Sequence, residues 1–336
     1  MTYSKNFIRF NWIALGLIYL VVFAGSFVRI TGSGMGCPDW PKCFGQWVPP
    51  TEITELPADY REIYLAKREK KVEKFCKFLN AIGLPKTAEK IKNDPSVYVE
   101  EAFNARKTWT EYINRLAGFL AGNALLLAFF WMLFFYRSKL VLLAGINLII
   151  LAIEAWFGSI VVATNLVPWT ITVHLLLALV IIAIQLYIIH RISPIFGSTI
   201  FTSSTYKWII LVVFAITFYQ MFLGTQVREY IDELTKQGFG RESWTEKLGL
   251  SFYIHRSFSW LVLAMIAWLA YKNEKTEKLT PIRFIFIVLA IELLSGVMLA
   301  HFDMPGLVQT AHLVFASILF GALWMMVLRT KTASSN

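Results

Sequence analysis

The sequence predicts an all-α membrane protein of eight transmembrane helices, built as two parallel-repeat four-helix bundles with both termini cytoplasmic. Of its 336 residues, 57% are apolar and the mean hydropathy is +0.56, far above soluble composition. Several apolar runs reach the roughly 20 residues that cross a bilayer as a helix. The two halves of the chain also repeat one another.

The apolar runs lie at 11–30, 112–135, 140–163, 170–190, 208–227, 251–271, 283–302 and 307–328. The first follows Lys5 and Arg9 in the manner of a signal peptide, but its apolar part is longer than a usual signal core and no small-residue cleavage site follows. It is therefore expected to be retained. With no Arg- and Ser-rich amphipathic presequence, a bacterial plasma membrane is the expected address.

Orientation follows from Lys and Arg in the short connections. Arg137, Lys139, Arg191, Lys207, Lys272, Lys275, Lys278, Arg283, Arg329 and Lys331 fall on the side of the N-terminus, whereas the connections near 164–169 and 302–306 hold no Lys or Arg. The outer loop 228–250 carries Arg228, Lys236, Arg241 and Lys247. The net charge of +10 is thus an effect of topology and lipid. With no soluble basic domain facing the cytoplasm, nucleic acid is not an expected partner.

Four matches define the repeat. Gly25-Ser26-Phe27-Val28-Arg29 is answered by Gly224-Thr225-Gln226-Val227-Arg228, and Tyr112-Ile113-Asn114-Arg115 by Tyr253-Ile254-His255-Arg256. Leu151-Ala152-Ile153-Glu154 with Gly158 is answered by Leu289-Ala290-Ile291-Glu292 with Gly296, and His174-Leu175 by His312-Leu313. The last two share an offset of 138 residues, so the Glu-to-His spacing is 20 in both halves. Units with an even number of spans enter from the same side and form a parallel repeat. One four-helix half is expected over 1–190 and the other over 191–336. Asn114, His174, His255 and His312 each fall shortly after the start of an inward-running span, about 5 to 10 Å below the outer surface.

The outer segment 31–110 holds the one large insertion, about 44–108. Asp59 to Ile82 reads as an amphipathic helix, with Tyr60, Ile63, Tyr64, Val72, Phe75, Leu79 and Ile82 on one side and Lys67, Arg68, Lys70, Lys71 and Lys74 opposite. Gly83-Leu84-Pro85 breaks it, and Asp94-Pro95 is expected to cap and start a second helix leading into span two. The insertion should cap the outer mouth or lie on the headgroups.

A histidine inside a span either bonds a neighbouring helix or serves function. His255 and His312, at one depth on facing helices, have the arrangement of axial ligands to a b-type haem. In the N-terminal half His174 faces Asn114, a poor iron ligand, so a macrocycle there has one strong ligand and a more open second face. The competing reading is a decayed half in which Asn114 is interhelical glue. His190, beside Arg191, reads as interfacial, and His301, near Asp303, as a loop or proton-path residue. Glu111 shares a helix face with Asn114. It either stabilises a developing cation and moves protons or is a helix-start acid favoured by the macrodipole.

Glu154 and Glu292 lie mid-membrane, where a carboxylate must be protonated or paired; their duplication points to a structural hydrogen bond common to both bundles. Arg29, Arg115, Arg228 and Arg256 line the outer boundary, suited either to lipid phosphate or to haem propionates gripped by a bidentate fork. Cys37 and Cys43 bracket Pro38-Asp39-Trp40-Pro41-Lys42 on the oxidising side. They form a structural staple or a redox-exchanging pair, with metal binding a weaker option. Cys76 has no obvious partner.

Val28-Arg29-Ile30-Thr31-Gly32-Ser33-Gly34-Met35-Gly36-Cys37-Pro38-Asp39-Trp40-Pro41-Lys42-Cys43 resembles the first outer loop of the heme A synthase family. The duplicated eight-span plan and its His-bearing even-numbered helices extend the likeness over nearly the whole chain, apart from the insertion. The resemblance implies oxidation of the C8 methyl group of heme O to the formyl group of heme A, supplying cytochrome oxidase. It implies heme b as a cofactor on His255 and His312, His174 facing the substrate haem, Glu111 as the acid assisting oxidation, and Cys37 with Cys43 as a redox-active outer pair. Heme O synthase and cytochrome oxidase assembly proteins are the partners it suggests. Two departures stand out: Asn114 occupies a position where much of the family has His, and 228–250 lacks the second cysteine pair of some relatives. A cytochrome b passing electrons to a quinone would need the same histidines, and a haem-handling transporter would use them transiently.

Overall fold

Each apolar run forms one continuous helix. The computed structural model describes residues 2–99, 102–164, 168–276 and 278–332. Its helices are α1 (Lys5–Ile30), α2 (Tyr60–Ala81), α3 (Pro85–Lys92), α4 (Ala105–Trp131), α5 (Leu140–Ala163), α6 (Pro168–Ile192), α7 (Ser204–Lys236), α8 (Arg241–Lys247), α9 (Leu250–Lys275), α10 (Thr280–His301) and α11 (Gly306–Arg329). A wider π-type turn, Met132–Tyr136, continues α4. All but α2, α3 and α8 are long and apolar enough to cross a membrane.

Local chemistry sets the helix starts. Ser4, Asn104 and Ser203 each accept a hydrogen bond from a first-turn backbone N–H, those of Phe7, Lys107 and Tyr206, satisfying donors with no partner inside the helix. Pro281 sits in the first turn of α10, where its missing N–H costs nothing. Two spans outrun the apolar pattern: α4 starts at Ala105, and α7 continues past Val227 to Lys236. Hydropathy marks only the lipid-facing part of a helix; good helix formers such as Glu, Leu and Lys carry α7 onward as a polar extension. At 1.5 Å per residue α7 is about 50 Å long, well beyond a hydrocarbon core of about 30 Å.

The helices close into two groups. α1 packs on α4, α4 on α5, α5 on α6 and α6 on α1; likewise α7 on α9, α9 on α10, α10 on α11 and α11 on α7. Between the groups α11 lies against α1 and α6, and α6 against α7. Ala14, Leu15, Ile18, Ile182 and Ile189 share one buried cluster with Phe320 and Met325 of α11, so the core runs across the junction. A buried polar contact, Gln185 Nε2 donating to Asn11 Oδ1 at 3.1 Å, ties α6 to α1. The Tyr3 hydroxyl meets Ser138 Oγ at 2.9 Å, placing the start of α1 beside the α4–α5 connection. Strands β1 (Ile200–Thr202) and β2 (Thr330–Thr332) pair in parallel, placing the end of α11 beside the start of α7.

The insertion is more ordered than its pattern suggests. α2 covers the expected helix, but Arg68, expected on the polar side, is only 6% exposed, and Ile82, expected on the apolar side, is exposed. The reason is the chain returning beneath α2: Arg68 Nη1 donates to Val99 O at 2.6 Å, so its guanidinium serves carbonyls that would otherwise be orphaned. Asp94 caps only a short 3₁₀ turn, Pro95–Tyr98, through Ser96 N at 2.9 Å; the second helix lies earlier, where Pro85 starts α3. Phe75 of α2 meets Trp156 of α5 edge-on and stacks on Trp169 of α6, seating the insertion on the ends of these two helices.

Candidate functional site

One cavity of about 1510 Å³ crosses both helix groups, larger than the roughly 300–1,000 Å³ of ordinary small-molecule sites. Glu111, Asn114 and His174 line it in the N-terminal half, His255 and His312 in the C-terminal half, and Arg29, Arg115, Arg228 and Arg256 along its rim.

The imidazole centroids of His255 and His312 are 6.4 Å apart with their planes at 83°. Metal–nitrogen bonds of about 2.0–2.1 Å on opposite sides of one ion give a centroid separation of about 6 Å, so the pair fits a shared axial position. The Ser295 hydroxyl donates its one proton to Glu292 O at 2.7 Å and lies 2.8 Å from His312 Nδ1. It can only accept from that nitrogen, which leaves the Nε2 lone pair for a metal. Glu292 Oε1 stands 3.2 Å from the same Nδ1. In the other half Glu154 Oε1 stands 3.0 Å from His174 Nδ1, while the residue matching Ser295 is Phe157, which has no hydroxyl. Each carboxylate is thus one half of a duplicated Glu–His contact.

Small residues make room for these rings. A Cβ at Gly158 would lie 3.0 Å from His174 Cε1, at Gly224 3.2 Å from His255 Cε1, at Gly296 3.4 Å from His312 Cε1, and at Gly25 3.8 Å from Asn114 Oδ1. Gln220 Nε2 donates to His255 O at 3.0 Å, further fixing α9 against α7.

Glu111 is only 4% exposed. Arg115 Nε donates to it at 3.0 Å, Nη2 donates to Cys37 O at 2.6 Å, and Nη1 donates to Asp39 O. Cys37 and Cys43 form a disulfide. The loop they close lies on α4: Thr108 Oγ1 donates to Gly36 O at 2.9 Å, and a side chain at Gly36 would collide with the α4 backbone. Arg115 therefore connects the disulfide loop to the Glu111 carboxylate. In the second half the position matching Glu111 is Phe252, and Arg256 lies over the Phe252 and Tyr253 rings at 5.7 and 5.4 Å.

The remaining two arginines meet at the junction between halves. Arg29 pairs with Asp232, and Arg228 reaches the same carboxylate at 3.0 Å as well as Gln309. Thr172 of α6 donates to Glu229 of α7 nearby. The four expected rim arginines are all present, but three of them already bond to protein groups. His301, the last residue of α10, lines the cavity and is exposed. His190 lies apart from it, with Nδ1 2.8 Å from Phe196 O at the end of α6.

Sequence patterns left out Ser295, Asp232, Gln309 and Lys71. Asp232 and Gln309 lie beyond or between the repeat matches, and Lys71 comes from the insertion, so nothing in the duplication pointed to them. Burial and the Arg115 guanidinium pull the Lys71 ammonium below the ordinary lysine range, with Asp39 opposing. The spacing of Ser295 from Glu292, one helical turn, was visible but carried no signal by itself.

The family model described as "Cytochrome oxidase assembly protein" matches residues 8–82 and 84–324. The chain is 23% identical to the heme A synthase of Wolbachia pipientis wMel, over 95% of this chain and 91% of that one. It is 24% identical to the heme A synthase of Wolbachia pipientis subsp. Culex pipiens (strain wPip), over 91% and 92%. A heme A synthase of Wolbachia sp. subsp. Brugia malayi (strain TRS) is 23% identical over 95% of both chains.

Proposed function

This chain belongs to the cytochrome oxidase assembly protein family, and on that premise we propose that it is a heme A synthase of a bacterial plasma membrane, oxidising the C8 methyl of heme O to the formyl group of heme A. The observation that carries this reading is the contrast between two matched halves. One presents two imidazoles 6.4 Å apart; the other presents His174 and an asparagine around a carboxylate held by arginine.

In this reading residues 191–336 hold a heme b cofactor through His255 and His312, and residues 1–190 hold heme O on His174. Both termini face the cytoplasm and the cavity opens outward. When bound, the heme b supplies one-electron redox chemistry. The protein's part is positional. Ser295 and Glu292 keep His312 in one tautomer and one orientation, and Glu154 does the same for His174. Asn114 leaves the second face of the substrate open. With water as the oxygen source, conversion of methyl to formyl releases equal numbers of protons and electrons; the electrons leave to an external acceptor, and Glu111 is the carboxylate that would take up protons, at Oε1 or Oε2, at the cavity wall. Arg115 holds Glu111 in place and screens its charge while the low exposure of the pair keeps bulk water away. Arg256 is suited to a propionate of the heme b.

The test is pigment analysis of cells that make heme O, with and without the full chain. A formyl haem should accumulate only with the chain. Glu111→Ala should bind haem and yield no formyl product; heme A at the wild-type level in that variant would remove Glu111 from the mechanism. Haem bound without any formyl product in the wild type would favour a plain cytochrome b.

A further inference from the structure

The repeat matches Arg115 to Arg256, yet the two guanidiniums are in different states. Arg256 stacks on Phe252 and Tyr253 and has no ion pair among the described residues, so it is open to a ligand carboxylate. Arg115 is fully committed to Glu111 and to the carbonyls of Cys37 and Asp39. The N-terminal half therefore lacks the cation that its partner half offers at the same level.

Lys71 of the insertion lines the cavity of that half, close to Arg115 and Asp39. It is half-buried and, among the described residues, makes neither an ion pair nor a hydrogen bond. Its backbone position is fixed by its neighbours. Val72 and Phe75 are buried, and Phe75, one turn on and so on the same helix face, packs on Trp156 and Trp169. Asp39 is not its partner in a salt bridge; one Asp39 oxygen accepts from Gly45 N at 2.9 Å and the other is buried without a hydrogen bond. Glu111 is already matched by Arg115, which leaves Lys71 as the cation at this mouth that bonds to no protein group among the described residues.

We propose that Lys71 binds a propionate carboxylate of the tetrapyrrole in the N-terminal half, supplying from the insertion the cation that Arg256 supplies in the C-terminal half. The inference rests on the reading of that half as a haem site, and it gives the insertion a function: it completes the substrate pocket as well as covering it. A compact ammonium on a flexible stem suits a carboxylate whose position shifts as the macrocycle enters.

The test uses the full-length purified protein with its C-terminal haem loaded, titrated with a second equivalent of iron porphyrin either as the free propionate or as its dimethyl ester. Lys71→Gln should weaken binding of the free acid by about five- to tenfold, the range of a partly solvated charge-assisted contact, with binding of the diester unchanged. Lys71→Arg should restore most of the loss. Equal binding of both porphyrins by Lys71→Gln and wild type, or equal weakening of both, would overturn the assignment. His174→Ala separates the two levels of the argument. If it leaves the second titration intact, the haem site itself is misplaced; if it abolishes that titration while Lys71→Gln does nothing, only the role of Lys71 fails.

Discussion

Glu154 Oε1 stands 3.0 Å from His174 Nδ1. The same relationship recurs between Glu292 and His312 at 3.2 Å, but there Ser295 adds a second acceptor 2.8 Å from the ring nitrogen. Outer partners of this kind orient a ligating imidazole and raise its basicity, and their loss typically costs about 10–100-fold in affinity. Glu154→Ala should therefore weaken haem binding in the N-terminal half by about that factor, whereas Glu292→Ala should cost less because Ser295 remains. Haem titration followed in the Soret band measures both; equal losses would mean Ser295 is idle.

The glycines beside the rings give a graded series. A methyl group would approach the facing imidazole most closely at Gly158, less at Gly224, less again at Gly296, and would meet only ordinary contact at Gly25. Haem retention should fall in that order for the four Gly→Ala variants, with Gly158→Ala emptying the N-terminal site and Gly25→Ala near wild type. A flat series would show that the rings move freely enough to absorb a methyl group.

Much of this was legible in the sequence, and the reason is symmetry. Equal Glu-to-His spacing in the two halves exposed the duplication, and the duplicated glutamates pointed to a structural role common to both; the partner was not legible, and the structure sets each carboxylate beside the histidine of the neighbouring helix. Eight apolar runs read directly as eight helices, because lipid demands internally satisfied backbone. What stayed hidden lacks a repeat. Arg68 looked solvated because periodicity reports one face of a helix and not the strand of chain that later crosses the other. Asp232 lies on the polar continuation of α7 beyond the hydropathy signal, and Lys71 was one of five cations on an apparently ordinary polar face.

Arg115 makes its three contacts through a planar fork that a lysine cannot imitate. Arg115→Lys should leave both haem sites filled but lower formyl product by about 10²-fold, the scale of misplacing a catalytic group by about an ångström. Comparing haem content with product yield separates this from unfolding. Reduction of the Cys37–Cys43 disulfide should act in the same direction, since it frees the carbonyl that Arg115 holds.

Asp232 sits between two guanidiniums, Arg29 of α1 and Arg228 of α7. Removing it as Asp232→Ala leaves two like charges facing each other across the junction of the halves. The expected cost is about 2–4 kcal/mol, somewhat under the range for a fully buried pair because the site is partly solvated. Thermal unfolding in detergent should show it. Restoration by Arg29→Met in the same chain would identify the repulsion as the cause.

The state of Lys71 predicts a pH dependence. Burial first and then Arg115 lower its affinity for a proton below that of an ordinary lysine, against the pull of Asp39. A bound carboxylate favours the charged ammonium and so raises that affinity again. Linkage then fixes the sign: free-acid porphyrin binding to the N-terminal half is constant while Lys71 is protonated in both states. It weakens as pH rises through the proton affinity of the empty site, and levels off once Lys71 is neutral in both. The decline should begin at a lower pH than an unperturbed lysine would give. It should be absent in Lys71→Gln, and absent in Lys71→Arg because guanidinium stays charged throughout. A decline of the same size in Lys71→Gln would assign the effect to a group other than Lys71.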